Sequence, residues 1–294
     1  MIIVKLWGGM CNQMFQYAFG YALAKKNGDE LFFEDEFFEN QPSHTGKRKL
    51  ISKDDFKLTK LNTVQRPFIA SVLENKYISH IIRYYSGCSL RLPSLNIIIE
   101  KLHKYYDVIP YSPDKVNYYD GYWQSVKYFQ EFADDIRREF TPSEKVIKAV
   151  REWKNSINSS CCVAVHIRRG DYLNKANQAG VENIVGGSSY YNRAIQYMQE
   201  QLNDPVFCFV SDDIGWCRKE FGGIKDSVFV ENQGSDAAIA DLFTIAICEH
   251  GIMSPGTFSW WGNWLRKESN NSIVITPDLS TIIPYLALEE WVVI

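Results

Sequence analysis

Several things are missing from this chain, and each absence removes a class of protein. Its longest apolar runs fall far short of the ~18 residues that a membrane-spanning helix needs. The seven cysteines include no Cys-x-x-Cys pair, and the five histidines include no His-Glu-x-x-His, so a zinc site of familiar spacing is excluded. Gly-x-Ser-x-Gly and Gly-x-x-x-x-Gly-Lys-Ser/Thr are also absent, which sets aside the serine-hydrolase elbow and the P-loop. An excess of positive charge is lacking too: 32 Lys and Arg against 35 Asp and Glu give a net charge of −3. No nucleic-acid partner and no strong pull toward an anionic membrane are therefore expected. Met1–Leu6 is too short for the apolar region of a signal peptide and runs straight into a loop. An odd number of cysteines, with Cys161, Cys162, Cys208 and Cys248 inside apolar patterns, fits a reducing compartment. The expected location is cytoplasmic, with at most peripheral association at the inner face of the membrane.

What is present is an ordinary globular composition, 46% apolar and 23% charged, over 294 residues. That length holds one large domain or two. Short β-branched runs alternate with amphipathic stretches, which predicts parallel sheets with right-handed crossovers. Ile2–Leu6 and Leu31–Phe33 read as strands flanking a helix that ends at Gly28. Residues 40–115 carry no clear period and are expected to hold helices and irregular segments, with a further helix over 126–140. Thr141-Pro142-Ser143-Glu144 is a helix start. In the second half Cys162–Val165, Val206–Val210, Ser227–Val230, Gly251–Ser254 and Ser272–Thr276 read as strands. Ser189 and Ser235 are placed to cap intervening helices. The expectation is two Rossmann-like domains, 1–155 and 156–294, with the C-terminal tail reaching back onto the first.

Four loop clusters follow predicted strands. His166-Ile-Arg-Arg-Gly-Asp171 comes first. Ligands of open α/β sheets bind outside the carboxyl ends of strands, and guanidinium forks match phosphate oxygens. Arg168 and Arg169 therefore suit a diphosphate; the bland alternative is a structural Arg168–Asp171 ion pair. Gly170 would let backbone approach the anion. Asp212 and Asp213 suit ribose hydroxyls or a guanine edge, or one of them caps a helix; a metal pair lacks further ligands. At Pro255-Gly-Thr-Phe-Ser-Trp-Trp-Gly262, a helix beginning near Thr257 would offer N–H groups to phosphate. Thr257 and Ser259 would add hydroxyls, while Trp260, Trp261 and Trp264 fill the core. In Gly8-Gly-Met-Cys-Asn-Gln13, Asn12 and Gln13 either bind sugar hydroxyls or merely cap a helix.

Together these blocks resemble the α-1,2-fucosyltransferases of glycosyltransferase family 11. Gly8-Gly-Met-Cys-Asn-Gln-Met-Phe-Gln-Tyr-Ala18 is similar to a GGxGNQxFQYA signature, and His166–Tyr172 to an HxRRGDY motif. Phe209-Val-Ser-Asp-Asp213 and Thr257-Phe-Ser-Trp-Trp-Gly262 follow in order. Two departures from the pattern stand out: Cys11 replaces a glycine, and Pro255-Gly256 an Asn-Ser. The resemblance implies a GT-B-type α/β fold with the active site in a cleft between domains. It further implies inverting, metal-independent transfer of fucose from GDP-β-L-fucose to the 2-hydroxyl of a terminal galactose in an oligosaccharide or glycolipid. No cofactor is expected. On this reading Arg168 grips the β-phosphate and His166 orients the nucleotide. Arg169, Asp212, Asp213, Thr257, Phe258 and Ser259 complete the donor site, and Asn12, Gln13 and Trp123 contact the acceptor. Asp171 is the first candidate for general base, with Glu34 and Asp35 behind it. Other readings are a fucosyltransferase of α-1,6 or protein O-linkage, and a non-catalytic nucleotide-sugar or glycan-binding protein.

Overall fold

The computed structural model describes residues 1–39, 41, 48–102, 104–157, 159–170, 173, 187–266, 271–280 and 286–294. Two compact units divide at Thr141/Pro142. Residue 155, where the boundary was expected, lies inside the helix α6 (Glu144–Ile157). This helix buries Val146 and Val150 within the second unit, so the helix leading into a sheet belongs with that sheet.

The first unit opens with β1 (Ile2–Lys5), α1 (Met10–Asn27) and β2 (Leu31–Glu34). All of β1 is buried, as expected of a central parallel strand covered on both faces. Gly28 ends α1 in the left-handed region at φ 63°, its N–H turned back to the Ala24 and Lys25 carbonyls. Then come α2 (Glu36–Glu39), α3 (Phe68–Leu73), α4 (Lys76–Ile81) and a π-helical turn over Ile82–Ser86. The strands β3 (Cys88–Arg91), β4 (Leu95–Ile99) and β5 (Val116–Asp120) follow. The sheet order is β2-β1-β5-β4-β3, parallel except for β3, which runs antiparallel to β4.

Those last three strands went unforeseen because Asn96 and Asn117 interrupt the apolar runs of β4 and β5, and β3 (Cys-Ser-Leu-Arg) has no such run. Inside the sheet the two asparagines satisfy each other, the Asn96 amide donating to Asn117 Oδ1 at 2.9 Å. The helix expected over 126–140 is divided. Two short 3₁₀ turns, Val126–Tyr128 and Gln130–Phe132, precede α5 (Ala133–Glu139), with Phe129 at φ −134° breaking the spiral.

The second unit runs α6, β6 (Cys162–Ile167), α7 (Ser189–Gln201), β7 (Val206–Ser211), α8 (Ile214–Phe221) and β8 (Ser227–Phe229). It continues through α9 (Ala237–Ile247), β9 (His250–Ile252), α10 (Thr257–Trp264), β10 (Val274–Thr276) and β11 (Val292–Val293). Its sheet is parallel throughout, in the order β11-β10-β9-β6-β7-β8. Where the tail was expected to return to the first domain, its last strand instead pairs with β10. Every residue of β6 is buried, and α7 sets Tyr191, Ala194, Ile195 and Met198 against it in one apolar cluster. Trp260, Trp261 and Trp264 are core.

Each sheet has a point where the chain reverses its direction of travel. In the first, β1 has β2 on one side and β5 on the other; in the second, β6 lies between β7 and β9. Among the described residues, no helix is long and apolar enough to cross a membrane.

Candidate active site

The motif that follows β6 emerges at the second sheet's reversal point, outside the carboxyl end of a buried strand. Its two arginines take different roles. The Arg168 side chain is 39% exposed, with Nη1 2.9 Å from Asp212 Oδ2. Arg169 is 11% exposed; its Nε lies 3.2 Å from Asp213 Oδ2 and its guanidinium 3.9 Å over the Trp216 ring. Arg169 is thus folded back on the protein, and Arg168 is the more accessible cation.

The aspartates after β7 serve the same loop. Asp212 Oδ1 accepts the Arg169 N–H at 2.9 Å, while its other oxygen meets Arg168. Asp213 caps α8, accepting the Trp216 N–H at 3.1 Å, and its second oxygen holds Arg169. Of the roles open to these carboxylates, the helix cap is realised by Asp213, and both brace the arginines. A Cβ on Gly170 would lie 2.5 Å from Asp212 Oδ2, so what approaches this glycine is the carboxylate. Asp171 falls outside the described residues.

On the other side of β6, Ser254 leaves β9 and its Oγ lies 2.8 Å from His166 Nδ1. Phe258 stacks on the imidazole with centroids 5.1 Å apart. Burial, and then the charge of Arg168, pushes the His166 pKa down to about 3, so the ring is neutral at physiological pH. Gly256 precedes α10 at φ 122°, ψ 165°, a region open essentially to glycine alone. That conformation is the physical counterpart of the Pro255-Gly256 departure. Ser259, expected at a ligand, is fully buried, and its Oγ accepts the Ser254 N–H at 3.1 Å. It fixes the turn. Thr257 and Phe258 are half-buried at the helix start, where first-turn N–H groups have no intrahelical acceptor.

In the first unit the glutamines of the opening motif are structural. Gln13 is fully buried. Its amide donates to the Gly8 and Lys49 carbonyls at 3.2 and 2.9 Å and accepts the Ile51 N–H at 2.8 Å. A sugar contact is therefore not available to it. Gln16 spans two loops, accepting the Trp7 N–H at 3.0 Å and donating to the Gly121 carbonyl at 3.2 Å. Asn12 accepts from the Gln124 amide at 3.1 Å. Cys11 is buried within α1, so the helix accommodates this departure in its packing.

Trp123 also belongs to the core. It is fully buried at φ 55° and stacks on Phe19 with centroids 4.2 Å apart; the aromatic neighbour left part exposed is Tyr122. Glu34 is sealed, held by Arg66 at 2.9 Å and by the Tyr118 hydroxyl at 2.9 Å, which removes it as a base. Asp35 is half-buried, with its carboxyl pKa raised by burial. Sequence reasoning missed Gln16, Ser254 and Glu100. Glu100 is a buried carboxylate that accepts the Tyr122 and Trp123 N–H groups and has its pKa pushed up to about 7 by burial. Only position betrays such residues: Gln16 sits three residues after Gln13 on the buried side of α1, and Ser254 follows a strand.

Two largely parallel sheets, each with polar residues at its strands' carboxyl ends, make a mixed α/β fold of GT-B-like type. The chain belongs to glycosyl transferase family 11, whose model matches residues 99–291. It is 30% identical over 283 residues to the α-1,2-colitosyltransferase of Escherichia coli, covering 94% of this chain and 91% of that protein. The galactoside α-(1,2)-fucosyltransferase 1 of Sus scrofa is 31% identical over 186 residues, 58% of this chain and 51% of that one. Among solved structures, NodZ α-1,6-fucosyltransferase soaked with GDP-fucose shares the fold at a TM-score of 0.60 and 13% identity, covering 96% of each chain. POFUT1 in complex with GDP does so at 0.51 and 14%, covering 92% of this chain and 96% of that one.

Proposed function

We propose that the protein transfers L-fucose from GDP-β-L-fucose to the 2-hydroxyl of a terminal galactose, with inversion and without a metal ion. The observation that carries this reading is the accessible Arg168 at the second sheet's reversal point, beside a neutral His166 and the start of α10. A guanidinium and a helix N-terminus suit the charge that accumulates on a departing nucleotide diphosphate. The names of the relatives from Escherichia coli and Sus scrofa both carry an α-1,2 linkage, and the second of these is a galactoside transferase.

On this reading the second unit holds the donor and the first unit the acceptor. The galactose 2-hydroxyl attacks the anomeric carbon from the face opposite GDP, the C–O bond to the diphosphate breaks, and the β-linkage becomes α. The transition state carries oxocarbenium character. Arg168 takes the β-phosphate charge, with Thr257, Phe258 and the first-turn amides of α10 beside it. Neutral His166, steadied by Ser254, orients the nucleotide by hydrogen bonding. Arg169, Asp212, Asp213 and Ser259 hold the loops in place. The base that takes the hydroxyl proton is Asp171 of the motif, or Asp35 after β2.

A second donor has its own support, because the relative matched over 94% of this chain is a colitosyltransferase. One experiment addresses donor, metal and acceptor together. The protein is incubated in EDTA with GDP-fucose or GDP-colitose and a panel of β-1,3- and β-1,4-galactosides, and products are read by NMR. The expected product is an α-linked fucose on O2 of galactose, formed undiminished in EDTA. No transfer from GDP-fucose, loss of transfer in EDTA, or a linkage elsewhere on galactose would overturn the reading.

A further inference from the structure

The first sheet's reversal point lies between β1 and β5, and the loops leaving these neighbouring strands carry Trp7 and Tyr122. The two rings stack with centroids 4.1 Å apart at 25°. Both are part exposed. Behind Trp7, on its ring, lies the Arg83 guanidinium at 4.8 Å. Arg83 comes from the π-helical turn and is held by Asp120 at 2.5 Å. Turns of that kind recur at functional sites.

The support beneath the pair is built of buried charge. Lys5, at the end of β1, reaches both Glu74 and Asp120; Glu74 in turn holds Arg66 at 2.5 Å. Tyr122 is fixed by its backbone, its N–H donating to the buried Glu100 at 2.6 Å. A Cβ on Gly121 would lie 2.5 Å from Glu100 Cβ, so a glycine is required for that approach. The next residue, Trp123, adopts a left-handed φ of 55°, a conformation costly for a bulky residue.

The Trp7 indole N–H is buried without a hydrogen-bond partner, and burial pushes the Tyr122 hydroxyl pKa up to about 12. What the pair offers is ring face. Among the described residues Trp7 is the one aromatic partner of Tyr122. The Gln124 amide, in the second of these loops, donates to Asn12 in the first turn of α1 at 3.1 Å. An apolar ring face with amides close by is the chemistry that recognises a neutral pyranose, whose C–H face stacks while its hydroxyls hydrogen-bond.

We propose that Tyr122, backed by Trp7, is the stacking platform of an acceptor-sugar subsite, with Gln124 and Asn12 addressing the sugar's hydroxyls. This rests on the reading that the acceptor is a galactose-terminated glycan. It replaces Gln13 and Trp123, which the fold consumes. The supporting residues Arg83 and Glu100 act through the rings, as positioning groups.

The test separates subsite from reaction. Donor-free binding of a β-1,4-galactoside is followed by saturation-transfer NMR on wild type, Tyr122→Ala, Tyr122→Leu and Gln124→Ala. GDP binding is measured by calorimetry on each as the check of folding. The expected result is a loss of galactoside affinity of about tenfold or more in both Tyr122 variants and a smaller loss in Gln124→Ala, with GDP affinity kept; Tyr122→Phe should bind as wild type. Transfer assays should then show acceptor KM rising while donor KM holds. Galactoside binding that survives in a folded Tyr122→Leu, or is absent from wild type, would overturn the subsite. A wild type that binds galactoside through Tyr122 yet transfers nothing from GDP-fucose leaves the subsite standing and sinks the proposed reaction.

Discussion

Arg168 and Arg169 are consecutive cations that the fold uses differently, and replacing them one at a time separates chemistry from stability. Arg169→Ala removes a guanidinium that is 11% exposed and stacked 3.9 Å over Trp216. A partly desolvated cation–π contact of this kind contributes about 1–2 kcal/mol. Its ion pair with the half-exposed Asp213 adds under about 1 kcal/mol after solvent screening. A loss of about 2 kcal/mol in a unit of this size lowers Tm by roughly 4–8 °C. Arg168→Ala, by contrast, removes an accessible side chain paired with a part-exposed aspartate, so Tm should hold within about 2 °C. If Arg168 takes the diphosphate charge, turnover should fall by about 10²-fold or more. The two readouts are differential scanning fluorimetry and initial transfer rates at saturating GDP-fucose. An Arg168→Ala enzyme with near-normal kcat, or an Arg169→Ala protein that melts with wild type while losing turnover, would refute the division of roles.

Three further outcomes follow from buried groups and strained backbone. His166 is depressed to about 3 in the folded state against about 6.5 unfolded. Its contribution is complete above pH 6.5 and declines as pH falls toward 3, by about 1.4 kcal/mol per unit. Urea midpoints at pH 7 and pH 5 should therefore differ more in wild type than in His166→Asn; equal differences would contradict the assignment. Glu100 has the opposite sign: its folded pKa of about 7 lies above the ordinary carboxylate value, so stability increases as pH falls from 7 toward 4.5. Glu100→Gln keeps an acceptor for the Tyr122 and Trp123 amides, and its melting temperature relative to wild type should be higher at pH 8.5 than at pH 5. Gly256→Ala forces a side chain into φ 122° and should cost about 1–3 kcal/mol, measured by chemical denaturation. A loss below about 0.5 kcal/mol would show that the turn relaxes freely.

The second unit was legible because its signals are local. Buried parallel strands read as unbroken apolar runs, and β6, β7 and β10 stand within a residue or two of where those runs lie. The first unit hid β4 and β5 because a buried Asn–Asn bond lets polar residues occupy strand interiors. That pairing joins positions far apart in sequence. The candidate site behaves in the same way. Placing the Arg-Arg loop needs only a strand and a turn, whereas dividing the pair requires Trp216 and the two aspartates, which arrive from another strand and helix. Trp123 and Tyr122 are neighbours of similar chemistry, and one left-handed φ decides which is core. Ser259 was misread for a comparable reason: its hydroxyl is spent on Ser254, a contact made only when β9 turns into α10.

Gln16 ties the Trp7 and Gly121 backbones to one helical position, and this has a consequence for how the protein can diversify. The two loops share an anchor in α1, so part of their spacing is inherited from the helix rather than from their own residues. The side chain at position 122 takes no part in that anchor and can vary as a fitting on a fixed mount, and the one at 124 with its partner Asn12. Exchanging loop 121–124 among relatives that retain this glutamine should alter which glycan is chosen while leaving the scaffold's registration unchanged. Replacing Gln16 itself would loosen both fittings at once.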